Sequence, residues 1–267
     1  DKTIPLSGKW KYKVSASNSD FDFVEYGPNA YPSLLYNAMV NPLVGLSMQG
    51  VIWYQGENNT NRAKEYYHLF PAMINDWRKK WGKDFPFYWV QLANYMDVVE
   101  VPSESLWAQV REAQTQTLSL SHTGQAVIID IGEAKDIHPK NKQEVGRRLA
   151  LHALHNDYGF SDVVCESPMP KTVRRVQDKI VVQFDNVADG LIVKNKYGYL
   201  MSFAVAGNDG VYKWVQAKVA GKDRVVLSCP DVIDPVSVRY AWGDNPDDAN
   251  LYNSVGLPAT PFEIKIE

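Results

Sequence analysis

The run that decides the fold is Gly50-Val51-Ile52-Trp53-Tyr54-Gln55-Gly56-Glu57-Asn58-Asn59. Its first half is short, continuously apolar and rich in β-branched and aromatic residues, which predicts a buried strand over residues 50–54. Its second half, residues 55–59, is polar and rich in side-chain amides, and we call it the amide loop. A buried strand that opens directly into a polar loop is typical of a parallel sheet, because ligands bind outside the carboxyl ends of such strands.

Two apolar runs downstream of the amide loop predict further strands, over residues 87–92 and 126–131. Amphipathic stretches between the strands predict helices over residues 61–81 and 103–118, and helical spacing of leucines predicts another after Pro32. Asn141 followed by Glu144 forms a capping-box pattern, which predicts a last helix ending at about residue 156. Alternating strands and helices predict an α/β fold in which helices cover both faces of a parallel sheet.

The predicted sheet is short, because three strands are few for a doubly wound sheet of about five or six. It also leaves an apolar edge strand unpaired, which proteins avoid. We therefore expect that a first strand lies upstream of Asp1 or comes from another chain. The alternating strand signal at residues 10–14 and the polar stretch after it, within residues 1–27, are expected to be the tail of an upstream β region.

The pattern changes after Cys165, where short β-prone runs separated by turns predict an antiparallel β-sandwich. The predicted domains are therefore the upstream tail (1–27), a partial α/β domain (28–162) and the sandwich (163–267), with Pro168-Met169-Pro170 as the linker. The predicted strands of the sandwich cover residues 180–184, 190–193, 201–205, 213–217, 224–227 and 236–240.

Composition narrows the function. The net charge of -3 provides no basic surface for nucleic acid, and no apolar stretch approaches the ~20 residues of a membrane span. Eight Trp and fifteen Tyr favour a carbohydrate ligand weakly, since large aromatic residues stack on sugars but more often fill cores. Two cysteines, Cys165 and Cys229, form no framework or metal motif, and either one bridge or two buried thiols would fit.

The loop that follows the third predicted strand, residues 132–139, carries the best candidate for a general base, and we call it the histidine loop. His138 is that candidate, because histidine is the side-chain type whose reference pKa, about 6.5, suits proton transfer at neutral pH. Asp136 is close enough in sequence to orient the imidazole and stabilise its charged form. A separation of two residues is tight, however, so Asp136 could instead cap the turn, with Glu133 or Glu57 as the acidic partner.

The amide loop offers the complementary chemistry. Gln55, Gly56, Glu57 and Asn58 bring backbone and amide donors to a small residue, and such donors stabilise the oxyanion of an ester's tetrahedral intermediate. The alternative is a polar turn after a strand. A zinc site built from Asp136, His138 and Glu57 is disfavoured because it has one clear histidine and no His-His pair, so we expect neither a metal nor a cofactor.

No serine in the chain fits the expected nucleophile. Ser47 lies between glycines, but it has a helix before it and a strand after it, the reverse of a nucleophile elbow. Ser17 follows a predicted strand but has neither flanking glycines nor a following helix. The pair of loops therefore predicts a third, nucleophile-bearing loop that the 267 residues do not contain.

The chain resembles the sialate O-acetylesterase family of the SGNH hydrolases. The resemblance centres on Trp53-Tyr54-Gln55-Gly56-Glu57-Asn58-Asn59 and Asp136-Ile137-His138-Pro139, and it is ordered over roughly residues 5–160. It also includes shorter blocks at residues 36–43, 66–67, 70–71, 76–78, 86–87, 91–93, 111–114 and 140–142.

This resemblance implies a flavodoxin-like α/β/α domain, incomplete at its N-terminus, that hydrolyses O-acetyl esters of a sugar, with sialic acid as the leading substrate. His138 would activate a serine upstream of Asp1, and Gln55 and Gly56 would line the oxyanion side, so the 267 residues alone are expected to be inactive. We expect an extracytoplasmic location (periplasmic, secreted or lysosome-like), although no signal peptide is visible. The alternative is a carbohydrate-binding or degenerate esterase module without catalysis.

Overall fold

A computed structural model describes Lys9, Gly27 and residues 31–267 of the chain. The strand predicted at residues 10–14 and Ser17 lie outside the described residues. The chain divides into two compact units, residues 1–47 and residues 48–267. The described part of the first unit contains a π-helical turn, Tyr36–Val40, followed by a 3-10 turn, Asn41–Leu43. The predicted domain boundaries at residues 27/28 and 162/163 stay a prediction.

The second unit begins with the predicted α/β layers. Its first sheet has three parallel strands in the order β1-β2-β3, which confirms the parallel sheet. The strands are β1 (Val51–Trp53), β2 (Phe87–Val90) and β3 (Thr123–Ala126). The helices are α1 (Ala63–Trp81), α2 (Leu106–Gln116) and α3 (Lys142–Asn156).

The central strand β2 shows why its sequence is apolar throughout. Phe87 and Trp89 belong to one core cluster with residues of α1 and α2. Tyr88 and Val90 belong to another, which includes residues of α3. Successive side chains of a strand point to opposite faces, so helices cover both faces of the sheet at β2, as predicted. The prediction of a buried strand is wrong for β1, which is only partly buried: Ile52, which pairs with Tyr88, is 72% exposed.

The helix ends follow capping chemistry. α1 ends at Gly82, which adopts the left-handed conformation with φ 61°. The side chain of Ser105 accepts a hydrogen bond from the Ala108 N–H at the start of α2, and Asn141 accepts one from the Glu144 N–H at the start of α3. Leu106, the first residue of α2, is 52% exposed, and Trp107 beside it is buried.

The third strand is displaced from its predicted position. It ends at Ala126, where the apolar run was expected to begin, and residues 127–131 continue as a loop. Val127 and Ile129 are nonetheless buried in the core of the sandwich, and Ile128 in the core beneath α3. Hydrophobicity reports burial rather than ladder pairing, and this loop is buried because it runs between the α/β layers and the sandwich.

The rest of the unit is antiparallel, as predicted. One sheet has the order β4-β5-β10-β9, a second has the order β13-β11-β7-β8, and β12 pairs with β6. The strands are β4 (Met169–Val176), β5 (Lys179–Asp185), β6 (Leu191–Val193), β7 (Phe203–Ala206), β8 (Tyr212–Trp214), β9 (Gln216–Ala220), β10 (Arg224–Ser228), β11 (Ser237–Tyr240), β12 (Leu251–Asn253) and β13 (Phe262–Lys265).

The predicted linker is wrong. Met169 and Pro170 open strand β4, which pairs with β5 through a register shift between Pro170 and Thr172. A proline lacks the N–H that a central strand needs, but an edge strand or a bulge accommodates it, and β4 lies at the edge of its sheet. The sequence did not predict strands β4, β12 and β13. The single strand predicted over residues 213–217 is wrong, because these residues are divided between β8 and β9, which lie in different sheets.

Cys165 and Cys229 are both buried free thiols, so the second of the two alternatives for the cysteines holds. Across the described residues no helix combines the length and the apolar character that crossing a membrane requires. In the same part of the chain, no group of three or more His, Cys, Asp or Glu side chains is arranged to hold a metal ion.

Candidate functional site

The amide loop and the histidine loop border one cleft, as their positions after parallel strands predict. The cleft has a volume of about 340 Å³. Of the predicted site residues, all except Gly56 and Asp136 line it directly, and both of these adjoin lining residues. The lining residues are Tyr54, Gln55, Glu57, Asn58, Ile137, His138, Pro139 and Lys142.

Gly56 fixes the path of the amide loop. Its φ of 147° lies in a region that side chains rarely adopt. A Cβ atom there would lie 3.2 Å from both Gln114 Nε2 and Leu92 Cδ2. The loop therefore lies directly against the core formed by β2 and α2, and only glycine fits at this position without strain.

Gln55 is held from the same side. Tyr66 donates a hydrogen bond to Gln55 Oε1 at 3.1 Å, and Gln114 Nε2 donates to the Gln55 carbonyl at 3.3 Å. Gln55 Nε2 donates to Asn59 Oδ1 at 2.7 Å. Burial raises the pKa of Tyr66 to about 12, so its hydroxyl stays a donor at neutral pH. The Gln55 side chain thus serves to shape the loop, and Asn58 is the amide that is exposed at the cleft.

The histidine loop is organised around Asp136. Its Oδ1 accepts a hydrogen bond from the His138 backbone N–H at 2.9 Å. The same oxygen is 3.7 Å from His138 Nδ1, which is beyond hydrogen-bond length but within range of an ion pair. Asp136 therefore caps the turn, one of the alternatives left open by the sequence, while keeping its charge beside the imidazole. The His138 side chain is 85% exposed.

The other acidic candidates, Glu133 and Glu57, differ in whether their carboxylates are paired with a lysine or line the cleft. Glu133 pairs with Lys140 at 2.8 Å, so its carboxylate is committed to that lysine. Glu57 lines the cleft opposite His138's loop. Lys142, the first residue of α3, places its ammonium 4.6 Å from the ring centre of Tyr54. The cleft thus combines an imidazole, a carboxylate, an amide and an ammonium group.

The histidine loop is tied to the β-sandwich through a pair of asparagines. Asn94 Oδ1 accepts from the Gly132 N–H at 2.7 Å, and Asn94 Nδ2 donates to Asn245 Oδ1 at 2.9 Å. Asn245 Nδ2 in turn donates to the Met96 carbonyl at 2.7 Å, and the Met96 N–H donates to Ala134 within the histidine loop. Both asparagines are buried, so these bonds are shielded from water.

Arg111 of α2 reinforces that connection. Its guanidinium is fully buried and donates to four backbone carbonyls, two after β2 and two in the sandwich turn, namely Leu92, Ala93, Gly243 and Asp244. Burial lowers the pKa of Arg111 to about 9, partly offset by the Asp244 charge, and the guanidinium therefore stays protonated at neutral pH. This cation fixes the strand end that carries Asn94.

Sequence reasoning missed several of these supporting residues. Arg111 and Gln114 stood within a block of the family resemblance, and that block was a signal, but nothing assigned them a role. Asn245 carried no signal at all, because it is 151 residues from Asn94 along the chain.

A parallel sheet whose strands lead into a tight, amide-bearing loop and a histidine loop lining one cleft fits the α/β fold class of the SGNH-like proteins, which the resemblance implied. Comparison with known proteins narrows this class. The chain belongs to the family of carbohydrate esterases described as sialic acid-specific acetylesterases, whose model matches residues 19–155, about half of the chain.

Individual relatives agree. The sialate O-acetylesterase of Homo sapiens is 31% identical over 264 residues, which cover 88% of this chain and 49% of the human protein. The sialate O-acetylesterase of Rattus norvegicus is 31% identical over 278 residues, which cover 91% of this chain and 50% of the rat protein. A solved carbohydrate acetylesterase from Xanthomonas citri superposes with a TM-score of 0.83 at 45% identity, covering 88% of this chain and 55% of that one. The chain spans about half the length of these relatives.

Proposed function

We propose that the protein to which this chain belongs is a carbohydrate O-acetylesterase that acts on O-acetylated sialic acid by a Ser-His-Asp mechanism. The observation that carries the proposal is the shared cleft, which His138 and the amide loop line together. Family membership supports the same activity. The lysine of the cleft favours an anionic sugar, since Lys142 offers a cation to the sialate carboxylate.

In the proposed steps, His138 acts alternately as base and acid. A serine hydroxyl attacks the acetyl carbonyl carbon as its proton passes to His138, and Asp136 stabilises the resulting imidazolium. Backbone N–H groups at Gly56 and the Asn58 amide receive the oxyanion. The imidazolium then returns its proton to the sugar oxygen as the ester bond breaks. A water molecule, deprotonated by His138, then attacks the acetyl carbon of the acyl-serine. As the bond to the serine oxygen breaks, His138 returns the proton to that oxygen and acetate leaves.

We place the nucleophilic serine outside the chain, in a segment upstream of Asp1 or in a separate chain. This is supported by the cleft itself, because its described lining residues include no serine, threonine or cysteine. We also propose an extracytoplasmic location, since an esterase of glycan-borne sialic acid meets its substrate there. Fractionation of cells that produce the full-length protein tests the location, and we expect the protein outside the cytoplasmic fraction.

The first experiment measures ester hydrolysis by the full-length protein, on 4-nitrophenyl acetate and on 9-O-acetylated sialic acid. We expect turnover of both and a loss of about 1,000-fold in kcat for His138→Ala, the scale of general-base catalysis. The matched control is His68→Ala, because His68 is an exposed histidine on α1 away from the cleft.

A fluorophosphonate label locates the nucleophile independently of substrate choice. We expect mass spectrometry to find the label on a serine outside residues 1–267. A label on a serine within these residues would contradict the placement of the nucleophile. A full-length protein that takes up no label and shows no turnover would instead point to the degenerate, non-catalytic module.

A further inference from the structure

A second cavity lies in the same unit, away from the cleft. Its volume is about 290 Å³, close to the lower end of small-molecule sites of ~300–1,000 Å³. Residues 98–100, downstream of β2, form one wall, and the sandwich forms the others through strands β7 and β8 and the turn at residues 241–248. It shares no lining residue with the cleft. We call it the tryptophan pocket, after Trp214 and Trp242.

Trp214 provides a fixed aromatic surface in the tryptophan pocket. Its indole N–H donates to the Glu100 carbonyl at 2.9 Å, which holds the ring in place, while 43% of the side chain stays exposed. A half-exposed indole that is already oriented stacks on an apolar ring face at little cost in conformational entropy. The C–H faces of pyranose sugars are such surfaces.

Trp242 forms the inner wall. It is buried, and its indole N–H has no hydrogen-bond acceptor among the described residues. Buried donors are usually paired, so a ligand oxygen that reached this group would satisfy it. The neighbouring Ser202 and Ala241 both line the pocket with positive φ, of 62° and 50°. Such strained backbone is concentrated at ligand sites.

The mouth of the pocket is apolar. Val98, Val99 and Met201 line it and are among the exposed large hydrophobic residues. Contiguous exposed apolar groups beside a cavity mark a binding surface. Methyl groups of acetyl substituents on a sugar would cover these side chains, which bare hydroxyl groups would not.

Charge identifies the ligand further. Glu100 and Asp248 are the ionisable groups among the described lining residues, and no lysine, arginine or histidine is present there. Ser202 donates a hydrogen bond to Asp248 and so holds its carboxylate at the pocket. Carboxylates accept hydrogen bonds from sugar hydroxyl groups, but they repel an anionic sugar. The preference is thus opposite to that of the cleft, where Lys142 offers a cation.

We propose that the tryptophan pocket binds a neutral, acetylated saccharide unit. Trp214 supplies the stacking surface, Asp248 accepts from hydroxyl groups, and the valines and Met201 contact acetyl methyl groups. In the enzyme, this pocket holds a glycan by a neutral unit while a different, acetylated anionic unit enters the cleft. That role in presenting substrate rests on the proposed esterase function, whereas binding itself does not.

Binding is tested with tri-N-acetylchitotriose, a neutral sugar whose acetyl groups are amides rather than esters. Calorimetry on the full-length His138→Ala variant is expected to show saturable binding, and adding Trp214→Ala to weaken it by about tenfold. Asp248→Asn is expected to weaken it less. The matched control is Tyr158→Ala, an exposed aromatic outside the pocket.

Three outcomes would overturn the proposal: no saturable binding, equal binding by the Trp214→Ala variant, or equally tight binding of N-acetylneuraminic acid. Catalysis is scored separately in the enzyme with His138 intact. Trp214→Ala is expected to leave turnover of 4-nitrophenyl acetate unchanged and to raise KM, without lowering kcat, on an acetylated glycan. No turnover of either substrate would count against the esterase function and leave the calorimetric result standing.

Discussion

The amide loop and the histidine loop face the same cleft but are held in different ways. The amide loop is clamped from within the α/β layers, by Gln114 and Tyr66 and by the close approach of Gly56 to the core. The histidine loop is held by Asn94, and through it by Asn245 of the sandwich, and its His138 side chain, the proposed general base, projects into solvent.

This difference teaches that the two halves of the proposed chemistry have different structural origins. The oxyanion side is organised in advance by the core that folds around β2. The base side depends on the second half of the chain for its backbone and, in our proposal, on the serine for a hydrogen-bond partner of the imidazole. Substitutions should therefore separate the two loops experimentally.

The largest effect is expected for Gly56→Ala in the full-length protein. The new Cβ combines an unfavourable φ with contacts to Gln114 and Leu92, so the oxyanion donors move, and kcat should fall by about 1,000-fold. Gly146→Ala is the control, since a Cβ there meets nothing within 4 Å and the helix should gain about 0.5–1 kcal/mol. Wild-type kcat in Gly56→Ala would show that the loop is not the oxyanion side.

Asp136 allows its capping and its charge to be separated. Asp136→Ala removes both and should lower kcat by about 100-fold. Asp136→Asn keeps an oxygen that can accept from the His138 N–H, and we expect it to lose only about tenfold. Steady-state kinetics on 4-nitrophenyl acetate measure both. Equal losses would mean that the negative charge alone matters and that the cap is incidental.

A smaller, more remote effect is expected for Asn245→Ala. The substitution leaves the buried Asn94 amide without its acceptor, at a cost of about 1–3 kcal/mol in unfolding free energy. We expect a loss of a few-fold in kcat. Hydrogen exchange should accelerate at residues 132–136 and stay unchanged in the amide loop.

Asn208→Ala, at an exposed turn of the sandwich, is the control for Asn245→Ala. Uniformly faster exchange in both loops would contradict the separate anchoring of the two loops, because it would indicate a general loss of stability.

The smallest effect concerns pH and the helix that follows the histidine loop. Hydrogen bonds from Arg147 and Arg148 lower the pKa of Glu144 to about 2. Because this pKa is depressed in the folded state, the stabilisation is complete above the unfolded value of ~4.3 and is lost as pH falls toward 2. Glu144→Gln should flatten the decline in unfolding free energy between about pH 5 and 2.

The comparison for Glu144→Gln is Glu65→Gln, whose ion pair with Arg62 is exposed on both sides and should contribute little. Urea unfolding at a series of pH values measures both variants. Parallel pH profiles for wild type and Glu144→Gln would contradict the prediction.

The sequence predicts local structure better than it predicts contacts between residues that are far apart along the chain. Apolar patterning located β1, β2 and the three helices. β2 and the helices each bury a continuous strand or stripe, whereas β1 is only partly buried, with Ile52 72% exposed. The same patterning misplaced the third strand, because residues 127–129 are buried outside any strand, Val127 and Ile129 in the core of the sandwich and Ile128 in the core beneath α3. Both loops were found because each directly follows an apolar run, whereas Asn245 contacts Asn94 only through the folding of the whole unit.

The hydrogen bonds of Arg111 make the folding of the α/β layers depend on residues that are synthesised much later. Two of its four carbonyl acceptors, in Gly243 and Asp244, are made 132 and 133 residues later than the arginine itself. A nascent α/β half that has left the ribosome therefore holds a buried cation with half of its acceptors absent, a costly state. The α/β half can therefore fold completely only after Gly243 and Asp244 have left the ribosome. A ribosome stalled before residue 243 should accordingly display a protease-sensitive α/β half, although all its strands and helices have already been made.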